Sequence, residues 1–198
     1  MSIIEGPEPL KASEPRHMQN PPAWTEADLL AGCRAGRRDA FDALVAAYYD
    51  RIYRLAWSMT GPEAASDLTQ ETFLAAVKAL PAFRGESQLG TWLISILRNL
   101  FLLQLRGKKK WKMVSLSQAD PGLAAPEAPD LEHGVRQILE HAKELPEELR
   151  SALVLFYVDG MKYAEIARAM ECPIGTVRSR LFEARERIKS RVSRAETS

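Results

Sequence analysis

Tyr163-Ala-Glu-Ile-Ala-Arg-Ala-Met-Glu-Cys-Pro-Ile-Gly-Thr-Val-Arg-Ser-Arg-Leu-Phe182 reads as two short helices joined by a tight turn, the second of them basic. Ile166, Ala167 and Met170 give the first helix one apolar face, and the small Ala167 lets a second helix cross closely. Glu171-Cys172-Pro173 ends it, because proline lacks an amide donor and pushes the residue before it out of helical angles. Gly175-Thr176 is expected to open the second helix, with Val177 and Leu181 one turn apart facing the first. Arg178, Ser179 and Phe182 then point away from that stripe. This is the spacing of a helix-turn-helix, whose second helix can enter the major groove of DNA. Spacing alone fits an ordinary helical hairpin equally well; the basic outer face favours DNA.

The 198 residues suffice for one or two small domains with cores of their own. A formal net charge of +1 does not suggest nucleic acid, but its distribution does. Arg98, Arg106, Lys108, Lys109, Lys110 and Lys112 form one basic run, and Arg178, Arg180, Arg185, Arg187, Lys189, Arg191 and Arg194 another. The acids Glu63, Asp67, Glu71, Glu127, Asp130, Glu132, Glu144, Glu147 and Glu148 lie elsewhere. Segregated charge allows one surface to meet DNA and another a basic protein. Cys33 and Cys172 have no metal-ligand spacing with each other or with His17, His133 and His141, so neither metal nor cofactor is expected. Two reduced thiols and the absence of a signal peptide fit a cytoplasmic protein. The most apolar run, Trp92 to Leu105, carries Arg98, Asn99 and Gln104 and falls short of the ~20 residues of a membrane span. It is expected to be a buried helix.

Apolar spacing and punctuation predict an all-α chain of two small helical domains on a flexible linker. Residues 1–23, rich in Pro, Glu and Ser, read as a disordered tail. Thr25 with Asp28 caps a first helix, which Gly36 breaks. Phe41, Leu44, Val45, Tyr48, Ile52, Leu55, Ala56 and Met59 recur in steps of three and four, marking a long amphipathic helix. Gly61-Pro62 ends it and begins the next. A polar loop, Phe83 to Gln88, precedes a helix expected from about Thr91 to Arg106. The first domain is placed at 24–107, a linker at 108–130 and the second domain at 131–194, with Leu145-Pro146 and Asp159-Gly160 as breaks inside it.

In this order the pieces resemble the extracytoplasmic-function (ECF) sigma factors of the sigma-70 family. Asp67-Leu-Thr-Gln-Glu-Thr-Phe73, Phe83-Arg-Gly-Glu-Ser and Thr91-Trp92-Leu93 with Asn99 look like sigma region 2. Leu145-Pro146, Tyr163 to Ala167 and Gly175-Thr-Val-Arg-Ser-Arg180 look like region 4, and the resemblance spans about Ala27 to Val192. It implies a factor that binds the β′ and β subunits of core RNA polymerase and promoter DNA, directs promoter recognition, melting and initiation, and is held inactive by an anti-sigma factor. Catalysis belongs to the polymerase, and this chain shows no nucleophile with a base, phosphate loop or metal cluster.

By the same resemblance, Asp67, Gln70 and Glu71, beside Phe73, dock on the β′ clamp helices; spacing alone fits a solvated face. Arg84, Glu86, Ser87, Thr91, Trp92 and Asn99 meet the −10 element, where polar loop side chains can hold an unstacked base. Trp92 either supports the loop from the core or stacks on DNA. Lys162, Tyr163, Thr176, Arg178, Ser179, Phe182 and Glu183 face the −35 element. The amides at Gly175-Thr176 are offered to a phosphate, and Arg180 is a flank contact or a solvated charge. Glu183 either pairs with Arg187 one turn on or accepts from a cytosine amine. The chain departs from the family at Leu89-Gly90, where an aromatic pair is frequent, at Ser95, where a basic residue is frequent, and at Leu103, where an acid is frequent. Two other readings fit the residues: a helix-turn-helix regulator acting without core polymerase, and a degenerate sigma factor that titrates an anti-sigma factor.

Overall fold

The computed structural model describes residues 24–110 and 129–195. The tail at 1–23 and most of the expected linker, including Lys112, Asp120 and Glu127, lie outside the described residues. Eight α-helices and one 3-10 turn make up the described fold, without a strand among them: α1 Glu26–Arg34, α2 Arg38–Thr60, α3 Pro62–Ala79, the turn Leu80–Ala82, α4 Leu89–Lys110, α5 His133–Ala142, α6 Glu147–Tyr157, α7 Tyr163–Ala169 and α8 Ile174–Ala195. None is long and apolar enough to cross a membrane.

The punctuation acts as its chemistry dictates. The Thr25 hydroxyl accepts from the Asp28 amide at 3.2 Å, and the Asp28 carboxylate accepts from the Thr25 amide at 3.2 Å and hydroxyl at 2.6 Å. Two orphan donors of the first turn are thereby satisfied. The chain escapes α2 through Gly61 at φ +85°, which a Cβ would strain, and Pro62 starts α3 where its missing amide costs nothing. Thr69 and Thr72 are buried in α3 because each hydroxyl returns to the carbonyl four residues back at 2.7 Å.

Helix α4 is longer than the expected Thr91–Arg106 at both ends. Its start is moved back to Leu89 by a distant partner, since the Leu89 amide donates to the Glu26 carboxylate of α1 at 2.7 Å. At its far end the basic residues Lys108 to Lys110 continue the helix.

The first four helices pack around Leu44, Ile52, Leu55, Met59, Leu68, Leu93 and Leu97, all at most 1% exposed. In the second group, α6 is buried along most of its length, with α5, α7 and α8 around it. The two groups also touch each other. Leu97 and Phe101 of α4 and Leu155, Ile166 and Val177 belong to one continuous apolar cluster. Polar contacts cross the same seam. Arg51 of α2 grips Asp159, Arg98 of α4 meets Glu148 of α6 at 2.6 Å, and an Arg150 Nη1 donates to the Met59 carbonyl at 3.1 Å. Burial pushes the Arg150 guanidinium below its ordinary range, whereas hydrogen bonding to Asp159 raises that of Arg51.

Candidate nucleic-acid interface

Residues 83 to 88 are held as a defined loop by their neighbours. The Arg34 guanidinium donates to the Phe83 carbonyl, and Phe83 itself is buried with its ring 4.7 Å from that of Trp92. Gly85 sits at φ +75° in the bend, a conformation that glycine alone adopts without cost. Beside this loop lies an open cleft of about 500 Å³ lined by Phe83, Arg84, Glu86, Ser87, Thr91, Trp92 and Ser95, and by Arg168 of α7. Five of the six residues expected at a −10 element therefore converge on one concavity. Arg84 and Glu86 are exposed, Ser87 and Trp92 are half-buried, and Thr91 is 5% exposed. Asn99 is exposed on α4 but does not line the cleft. Trp92 satisfies both of its readings, since its ring packs on Phe83 and also faces the cleft. Ser95 and Arg168 were missed. Ser95 shows only as a polar residue one turn after Trp92, and Arg168 gives no signal, because a separate helical group brings it there.

On α3, Asp67, Gln70 and Glu71 share one exposed face as expected. Phe73 does not: it is 8% exposed, with its ring 6.4 Å from that of Tyr49. It forms the floor of an apolar groove that Val45, Tyr49, Gln70, Leu74 and Val77 complete. Leu74, 62% exposed, was missed, and its position one residue beyond the Asp67–Phe73 motif is the signal that marks it. Glu71 also accepts from the Gln104 side chain of α4 at 3.2 Å.

The helix-turn-helix is formed by α7 and α8. Glu171 turns the chain at φ +50°, and Pro173 precedes the first residue of α8, Ile174, one position earlier than Gly175. This corrects one expectation about the amides. The Thr176 amide is taken by the Pro173 carbonyl at 2.9 Å, so any anion at this end meets the amides before it. Val177 and Leu181 are buried against α7, while Arg178, Ser179 and Phe182 are exposed, Phe182 by 66%. The Ser179 hydroxyl donates to the Thr176 carbonyl at 3.0 Å. Glu183 and Arg187 pair at 2.6 Å, both about half exposed.

Lys162 is exposed, with its amide donating to Glu165 at 2.8 Å, and Tyr163 is half-buried with its ring 5.6 Å from Phe156. Arg185 anchors α8 to α6, donating to the Tyr157 hydroxyl at 3.0 Å and lying over the Phe156 ring. Arg180 is corrected outright. It is turned inward to Glu148 at 3.1 Å, and is neither a flank contact nor a solvated charge in this arrangement. Among the described residues no group of His, Cys, Asp and Glu could hold a metal ion.

Comparison with known proteins agrees with this layout. The family description "Sigma-70 region 2" matches residues 44–111, and "Sigma-70, region 4" matches residues 136–188. The chain is 34% identical over 180 residues to the ECF RNA polymerase sigma-E factor of Escherichia coli strain K12, covering 85% of this chain and 94% of that protein. The sigma-E factor of Haemophilus influenzae is 32% identical, covering 85% and 95%. Among solved structures, the sigma factor RpoE of Bartonella quintana in complex with the anti-sigma factor NepR superposes with a TM-score of 0.59 at 26% identity, covering 77% of this chain and 96% of that one. CnrH in complex with the cytosolic domain of CnrY shares the fold, with a TM-score of 0.61 at 24% identity over 83% and 95%. Two sigma regions in their family order, on helices that present two separate polar surfaces, place this chain in the ECF subfamily of the sigma-70 RNA polymerase sigma factors.

Proposed function

We propose that this sigma factor works through three surfaces of its own. Asp67, Gln70 and Glu71, with the Leu74 rim of the groove beside them, bind core RNA polymerase. The Phe83–Ser95 cleft captures the −10 element as single strand. The outer face of α8 reads the −35 element. The unit at 24–107 carries the first two surfaces and the unit at 131–194 the third. The observation that carries the reading is the cleft. A rigidly held polar loop, an aromatic wall and a concavity of about 500 Å³ suit an extruded base, and have no use in a factor that reads only duplex DNA. Arg84 supplies a phosphate partner, Glu86 and Ser87 polar groups for a base edge, and Trp92 a π face. On α8, Arg178 projects where bidentate contact with guanine N7 and O6 is available, with Ser179 and Phe182 on the same exposed face.

No catalytic step is assigned to this chain; it supplies positioning and strand separation, and the polymerase supplies the chemistry. It acts in the cytoplasm, where promoter DNA and polymerase are found. The RpoE–NepR complex supports an anti-sigma factor as its regulator. The test is run-off transcription from fragmented genomic DNA with purified core polymerase, comparing the chain with Glu71→Lys. Specific transcripts that disappear with the variant support the proposal. Core binding without transcripts points to a titrating module. DNA binding without core binding points to a helix-turn-helix regulator.

A further inference from the structure

The contact between the two helical groups is incompatible with the function just proposed, on which this inference rests. Promoter elements about 25 base pairs apart lie roughly 85 Å apart at ~3.4 Å per step of B-DNA. Here Arg168 of the helix-turn-helix lines the very cleft proposed for the −10 element, and it also borders Cys172, Pro173 and Ile174 at the start of α8. The two DNA surfaces are therefore neighbours, and one promoter cannot engage both until the groups separate. Arg168 also places a cation and a helix at the mouth through which an extruded base must enter.

The seam has a specific fastening. Arg51 Nε lies 2.8 Å from Asp159 Oδ1 and Arg51 Nη2 lies 2.6 Å from Asp159 Oδ2, a two-point fork across 108 residues of chain. The Asp159 side chain is 3% exposed, so this carboxylate is charged, shielded from water and paired in the closed arrangement. Breaking such a pair from one side leaves a buried charge without its partner. Glycine at position 90 makes room for it. A Cβ placed on Gly90 would lie 2.5 Å from Arg51 Nη1 and 3.1 Å from Tyr48 Cε1. Any side chain there must push the guanidinium from its place, while the flexible arginine end lets the helix itself persist. A second fastening, Glu148 held between Arg98 and Arg180, ties α4, α6 and α8 together across the same seam.

We propose that Arg51–Asp159, seated against Gly90, is an intramolecular latch that holds the sigma factor closed with its −10 cleft masked by α7, and that its release is required for polymerase and promoter engagement. The latch lowers the fraction of chains competent to bind, and so weakens apparent affinity for core in proportion to that fraction. A partner that engages the closed seam would strengthen repression without touching either DNA surface.

The test uses the full chain in three single variants, Arg51→Ala, Asp159→Asn and Gly90→Ala, and in the charge swap Arg51→Asp with Asp159→Arg. Two quantities are read: the radius of gyration by small-angle X-ray scattering, and the affinity for core polymerase in a direct binding titration. The helical circular dichroism signal is checked first, so that only folded variants are compared. The expected result is expansion of each single variant with roughly tenfold tighter apparent binding to core, and partial return of both in the swap. An unchanged radius in the folded Gly90→Ala and Asp159→Asn variants overturns the latch. Expansion without any gain in core affinity overturns the masking. The scattering result stands even where the parent chain yields no transcripts, so failure of the latch and failure of the proposed function are separately visible.

Discussion

The rings of Phe83 and Trp92 lie 4.7 Å apart between centroids and are tilted by 38°, which makes one wall of the cleft continuous with the core behind it. A pair of this kind contributes about 0.5–1.5 kcal/mol beyond the area it buries. Trp92→Ala is expected to lower stability by about 2 kcal/mol, since the indole is only half-buried, and to abolish promoter opening. Trp92→Phe keeps the packing and is expected to retain stability. Thermal melts and permanganate footprinting of unpaired thymines separate the two roles. Full opening with Trp92→Phe means that the ring chiefly supports the loop, and lost opening at unchanged stability means that the indole face stacks on DNA.

On α8 the expectation divides by residue. Arg178→Ala should cost about 1–3 kcal/mol at a promoter with guanine at its contact position and relax preference there, if Arg178 reads a base. Uniform weakening across promoters, with a shallower salt dependence, would assign it to a phosphate instead. Glu183 is already paired with Arg187 at 2.6 Å on an exposed helix face, an interaction worth only ~0.3–0.5 kcal/mol. Glu183→Arg is therefore expected to leave folding unaffected. Selection from a library randomised over the −35 element then decides the base-reading role, because an unaltered ranking leaves Glu183 only its helix-surface pairing.

Burial pushes the Cys33 thiol above its ordinary range. A raised value in the folded chain means that the native state holds the proton more tightly than the unfolded one. Its contribution to stability is complete below the unfolded value of about 8.5 and is lost as pH rises through the folded value. The stability–pH curve of Cys33→Ala should accordingly fall less steeply on its alkaline side than that of the parent chain. Alkylation at neutral pH should reach Cys172, which is partly exposed, well before Cys33, which is 4% exposed. Equal rates at the two thiols would contradict the packing of α1 against α2.

What could be read from the residues follows from the range over which each interaction acts. Thr25 with Asp28, Gly61-Pro62, the turn before Pro173 and the pairing of Glu183 with Arg187 all join groups within a few positions of each other. The residues themselves therefore specify the capping, the punctuation and most of the helix bounds. The apolar period of α2 likewise names its buried face before any partner is known. The loop from Phe83 to Ser87 was legible for the same reason, as one contiguous polar segment ahead of a helix.

The residues that hold that loop, and those that lie across its mouth, were not legible. Glu26 reaches Leu89 across 63 residues, Arg34 reaches Phe83 across 49, and Arg98 reaches Glu148 across 50. Nothing in the composition around Glu26 distinguishes it from any other exposed acid in a first helical turn, and Arg180 read as a surface charge until α6 was packed beside it. The sequence by itself determined an all-α chain with two sigma regions, the helix-turn-helix and the polar loop, because local periodicity and backbone chemistry are properties of neighbouring residues. Only the tertiary structure decided that Arg51 finds Asp159 in the space Gly90 leaves open and that Arg168 lies across the cleft, because charge pairing and steric fit depend on separations in space that residue order does not record.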